Sequence, residues 1–101
     1  MIDFCAAYKI NIFHWHLTEN QGWRTESRAY PELNDKKNYT RDHGKFYTFK
    51  EIRDLVDYCA ARGVMLIPEV DMPGHSAAFE RAFKCSMQSE KGTEILKKLV
   101  D

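Results

Sequence analysis

This sequence predicts an α/β fold with parallel strands, on two observations. Helix-patterned and strand-patterned segments alternate along the 101 residues, the order that produces strand–crossover–strand units with right-handed connections. The two strand-patterned segments are also apolar on both faces, as strands covered on both sides are.

Residues 1–9 open the chain in helical spacing, with Ile2, Cys5, Ala6 and Lys9 on one side and no capping residue before them. Ile10–Leu17 reads as a strand, rich in β-branched and aromatic residues. Alternation puts Ile10, Ile12, His14 and His16 on one face and Asn11, Phe13, Trp15 and Leu17 on the other. Thr18–Gly22 is a polar loop, and from Trp23 to Tyr47 periodicity is weak, broken by Pro31, Asn34-Asp35, Asn38 and Gly44.

Thr48 and Glu51 then form a Thr-x-x-Glu capping box. Ile52, Leu55, Val56, Cys59 and Ala60 follow at helical spacing, and Gly63 stands where a helix-ending glycine belongs. Val64–Ile67 is too short for a helix and reads as a buried strand, closed by Pro68-Glu69-Val70-Asp71 and turned by Met72-Pro73-Gly74-His75. Ser76–Phe83 is a short helix, and Gly92-Thr93 precede a last one with Ile95, Leu96, Leu99 and Val100 on one side. Two parallel strands complete neither a barrel nor a doubly wound sheet. A (β/α)8 barrel takes about 250 residues, so the expectation is about two-fifths of one, a fragment truncated at both ends.

Fifteen basic residues balance fifteen acidic ones, so no basic field exists to hold nucleic acid or an anionic membrane surface. No apolar run approaches the roughly 20 residues of a membrane-spanning helix, and Met1-Ile2-Asp3-Phe4 has no signal-peptide pattern. Cys5, Cys59 and Cys85 make neither an even framework nor a C-x-x-C pair. No phosphate-cradling glycine loop, zinc-finger spacing or G-x-S-x-G elbow occurs.

The chemistry therefore falls at the strand ends, where α/β enzymes keep their working groups. Adjacent parallel strands would gather His16, Glu19, Glu69, Asp71 and His75 at one rim. His14 and His16 point the same way and with Glu69 or Asp71 have the composition of a metal site; the plainer reading makes them hydrogen-bonded interior groups. Glu69 and Asp71 are either paired structural carboxylates or catalytic ones, since burying them alone is costly. Trp15 and Trp23 fit either a sugar platform or a core, and Arg24 could orient a substrate.

These same strand ends carry a resemblance. His14-Trp15-His16-Leu17-Thr18-Glu19-Asn20-Gln21-Gly22-Trp23-Arg24 resembles the H-W-H-L-T-D-D-Q-G-W-R stretch of glycoside hydrolase family 20, the β-N-acetylhexosaminidases. Tyr30-Pro31-Glu32-Leu33, the helix start Tyr47-Thr48 with Glu51-Ile52, and Pro68-Glu69-Val70-Asp71-Met72-Pro73-Gly74-His75 are similar to three further blocks of that family, in the same order. The resemblance implies part of a TIM (β/α)8 barrel over residues 1–101. It also implies an enzyme removing terminal β-linked N-acetylglucosamine or N-acetylgalactosamine from glycans or glycoconjugates, with retention and without cofactor or metal. The sugar's own 2-acetamido oxygen is the nucleophile in that family, an exception to the two-carboxylate rule. A Glu is the acid and base, and the Asp before it orients the acetamido group.

The chain holds no Asp-Glu dipeptide, so the resemblance places the catalytic pair beyond it and leaves the isolated chain inactive. What carries over is support: Glu19 at a family Asp position, and His75 as the P-G-H histidine, with Asp71, Glu69 and His16 in the same network. Trp23 and Arg24 are the candidate substrate contacts. A non-catalytic sugar-binding module derived from the same barrel is the alternative. The family's usual settings are periplasmic, extracellular or lysosomal.

Overall fold

The computed structural model describes residues 1–101. Its elements are α1 (Ile2–Ala7), β1 (Ile12–His16), two 3-10 turns at Pro31–Asn34 and Lys36–Asn38, α2 (Phe49–Ala61), β2 (Met65–Glu69), α3 (Ala77–Phe83) and α4 (Glu90–Val100). β1 and β2 pair in parallel, from Ile12 opposite Met65 to His16 opposite Glu69.

Local chemistry sets most boundaries. At α2 the capping box closes in both directions: Glu51 N–H donates to Thr48 Oγ1 at 3.2 Å, and Thr48 N–H donates to Glu51 Oε2 at 2.8 Å. Gly63, at φ 69°, turns the chain off the helix into β2, a left-handed backbone that glycine adopts without Cβ strain. β1 is shorter than the predicted Ile10–Leu17. The Ile10 N–H closes onto the Cys5 carbonyl at 2.8 Å, finishing α1 instead of extending the sheet. At the other end Leu17 N–H still donates to Glu69 O at 3.1 Å. α4 begins before the predicted Gly92-Thr93: Ser89 Oγ accepts from Gly92 N–H and caps the helix. Gly92 lies inside the first turn, and the position takes glycine because a Cβ there would stand 2.0 Å from the Ser86 carbonyl oxygen.

Two small cores form. Ile2, Cys5, Cys59 and Val64 bury together, with Phe13, Leu55 and Leu66 packed on them, so α1 and α2 cover one face of the sheet. Trp23, Leu33, Phe79, Met87 and Ile95 form the second, joining the long excursion to α3 and α4. All three cysteines are unpaired, and no helix is long and apolar enough to cross a membrane.

The expectation of strands covered on both faces is corrected here. Phe13 and Leu66 meet the helices, but Ile12, Met65 and Ile67 on the opposite face are 51, 62 and 41% exposed. Helices flank only one side of this two-stranded sheet; in a barrel the other side faces the lumen and is filled by side chains from the remaining strands. Only 18 of 101 residues are buried. The radius of gyration is 14.9 Å, against about 13 Å for a compact chain of this length.

Residues 1–101 produced alone should therefore melt without a sharp transition, since the apolar sheet face and both outer strand edges stay uncovered. Heating monitored by circular dichroism checks this, and a steep cooperative unfolding curve would contradict it.

Candidate functional site

Parallel pairing brings the C-terminal ends of β1 and β2 out side by side. One hydrogen bond carries the alignment past the last strand residues: Asp71 N–H donates to Oγ1 of the fully buried Thr18 at 2.9 Å. This leaves Asp71 Oδ2 3.6 Å from His16 Nε2. The turn after β2 then folds His75 back, with φ at 49°, and its Nδ1 lies 2.8 Å from the same Asp71 Oδ2. Gly74 makes room for that carboxylate, since a Cβ there would come within 3.0 Å of it. The rings of His16 and His75 meet edge to face with centroids 4.8 Å apart.

An ionised carboxylate can only accept, so the His75 proton that meets it sits on Nδ1 and fixes the ring's orientation. The hydrogen bond from His75 holds the Asp71 carboxyl below its ordinary value of 3.8; desolvation works against the shift, and the charges of His75 and His16 add to it.

Among the residues expected at this rim, the structure gathers His16, Asp71 and His75. Glu69 is paired instead with His14, one layer down on the open sheet face. Glu19 stands apart from the trio, its Oε2 accepting from Arg24 Nε at 3.3 Å. The rest of the Arg24 guanidinium donates to three main-chain oxygens, those of Asp42 at 3.1 Å, Lys45 at 3.0 Å and Arg41 at 2.8 Å. It also lies 5.0 Å over the Tyr39 ring. Arg24 thus clamps the 41–45 loop to the end of β1, and it lines a cavity of about 560 Å³ with Trp15, His16, Glu19 and Tyr47.

The structure moves Trp23 out of the site. It is 2% exposed and packed in the second core, so its ring offers no face to a sugar. Trp15 borders the cavity and meets Tyr47 edge-on, with centroids 4.7 Å apart. The predicted metal set changes too. His14 is engaged by Glu69, while one donor atom each from His16, Asp71 and His75 lie within 4.8 Å of one another.

Three supports were not singled out from the sequence. Thr18 is one. The others are Asn20, whose side chain accepts from Ala77 N–H, and Arg81, which donates to the carbonyls of Asn20 and Asn38. Arg81 lies 61 residues from Asn20, and no local pattern announces such a contact.

Parallel strands flanked by helices, with acids and histidines at the strand ends, define this chain as part of a (β/α)8 barrel. The family model for the glycosyl hydrolase family 20 catalytic domain matches residues 1–99, and the chain belongs to that family. It is 44% identical to a beta-hexosaminidase of Vibrio furnissii over 96 residues, covering 81% of this chain and 16% of that protein. It is 46% identical to a beta-hexosaminidase of Porphyromonas gingivalis over 88 residues, covering 81% of this chain and 11% of that protein. The crystal structure of beta-N-acetylhexosaminidase from Bacteroides fragilis superposes with a TM-score of 0.84 at 32% identity, covering 99% of this chain and 24% of that one. For Flavobacterium johnsoniae chitobiase the TM-score is 0.86 at 33% identity, covering 99% of this chain and 18% of that one. The chain thus spans under a fifth of the length of these curated relatives.

Because the Asp71 pKa is depressed in the fold, its pairing stabilises the rim at neutral pH. That contribution is lost as pH falls through the folded-state value, below 3.8. In the protein made from the complete reading frame, the Asp71 carboxyl carbon followed by NMR should titrate below 3.8 and move back toward it in His75→Ala. An unchanged midpoint would remove His75 as the cause.

Proposed function

We propose that residues 1–101 are a two-strand segment of the catalytic barrel of a β-N-acetylhexosaminidase, with the domain continuing on both sides. The whole domain removes terminal β-linked N-acetylglucosamine or N-acetylgalactosamine from glycans and glycoconjugates. The observation that carries this reading is the Asp71-held His75 beside His16, at the strand ends where barrel enzymes keep their active sites. Membership of the family supports it, as does the name beta-hexosaminidase borne by its relatives.

On this reading the 2-acetamido oxygen of the bound sugar attacks the anomeric carbon while a Glu protonates the departing oxygen. The resulting oxazolinium ion is opened by water, which gives its proton to the same Glu. Tethering makes the nucleophile effective, because an intramolecular group carries a very high effective concentration. Both catalytic carboxylates come from outside this segment, which contains no Asp-Glu dipeptide. The segment's task is support. Asp71 fixes the proton and orientation of His75, and His16 packs against that ring. Glu69 and His14 form the layer beneath. Glu19 and Arg24 hold the loop beside the substrate opening, with Arg24 as the candidate contact to the sugar.

The protein made from the complete reading frame should hydrolyse 4-nitrophenyl N-acetyl-β-D-glucosaminide, and residues 1–101 alone should not. In the complete protein, Asp71→Asn and His75→Ala should each lower kcat about 100-fold with KM little changed, the penalty of a misplaced catalytic group. Binding of N-acetylglucosamine without hydrolysis by the complete protein would replace this reading with a sugar-binding module.

A further inference from the structure

The strand ends also converge three metal-ligating groups from separate points in the chain. His16 ends β1, Asp71 lies two residues past β2, and His75 follows on the turn. Asp71 Oδ2 is 2.8 Å from His75 Nδ1 and 3.6 Å from His16 Nε2. Ligand atoms about 2.0–2.1 Å from a tetrahedral zinc ion stand roughly 3.3 Å apart. The two separations from Asp71 bracket that spacing, and with all three donors within 4.8 Å of one another the two rings draw together to meet one ion. His16 Nε2 is enclosed and has no hydrogen-bond partner. Buried polar atoms are almost always satisfied, and this nitrogen stands free to take a further partner.

We propose that His16, Asp71 and His75 bind a borderline divalent cation, zinc or copper(II), as an inhibitory site. Two imidazoles and one carboxylate suit such ions, whereas calcium and magnesium favour oxygen ligands. Metal binding and the His75–Asp71 hydrogen bond exclude each other. The ion takes the Nδ1 lone pair, and the proton there moves to Nε2, or to water if the ring is cationic. An occupied site therefore removes the contact that orients His75. The binding itself is independent of the hexosaminidase reading; only the inhibition rests on it.

Zinc chloride titrated by calorimetry into the metal-stripped protein from the complete reading frame tests the site. One zinc equivalent should bind, at least about tenfold more weakly in His16→Gln and His75→Ala, and unchanged in His43→Gln. His75→Cys should restore it, because a thiolate ligates zinc. No binding, equal affinity in His16→Gln or His75→Ala, or a His75→Cys variant as weak as His75→Ala would each overturn the site. Zinc should also suppress glycoside hydrolysis, with recovery on chelation. Bound zinc with undiminished turnover overturns the inhibition, whereas absence of turnover in the zinc-free protein overturns the hexosaminidase reading and leaves the binding result standing.

Discussion

Everything in this chain depends on two five-residue strands running the same way. Antiparallel neighbours can be joined by a short turn, but parallel ones need a crossover that returns the chain to its starting edge. The residues between β1 and β2 supply it: an excursion with two 3-10 turns, then α2. The same constraint puts both C-terminal strand ends at one rim, so residues more than fifty positions apart become neighbours without any sequence proximity. The Thr18 hydroxyl extends this alignment by one bond, and the His16–Asp71–His75 contact is its consequence.

The two cores divide the work. The cluster around Cys59 fixes helices to sheet, and the cluster around Phe79 fixes the excursion to the last two helices. Between them lies the rim, held mostly by polar contacts. Polar contacts orient groups more sharply than apolar packing does, because hydrogen bonds are directional. The rim is thus a place where geometry is specified while little surface is buried.

What was legible in the sequence was what is locally determined. The capping box at Thr48, the glycine turn at Gly63 and the β2 run can all be read in a few residues, and the structure places them there. The excursion could not be read, because its backbone is held by side chains rather than by a ladder. Asn34 serves Ser27 and Thr25, Asn38 serves Glu32, and the Tyr39 hydroxyl donates to the Trp23 carbonyl. Such bonds leave no periodicity. Trp23 was ambiguous for a related reason: a large aromatic beside a rim reads equally as platform or core, and only the position of Phe79, far along the chain, decides it. At the rim the residue types were legible, but their partners were not. Alternation put His14 and His16 on one face, yet it could not say that Glu69 takes the first and Asp71 the second.

Arg24 holds residues 41–45 entirely through main-chain oxygens. Every amino acid carries a carbonyl, so the clamp does not inspect the identity of what it grips. Apart from Asp42 and Gly44, whose φ values of 46° and 71° favour residues tolerant of that backbone, the loop's side chains can be exchanged without loosening it. A single cation at position 24 therefore holds the surface beside the strand ends in place while leaving the side chains of that surface free to vary.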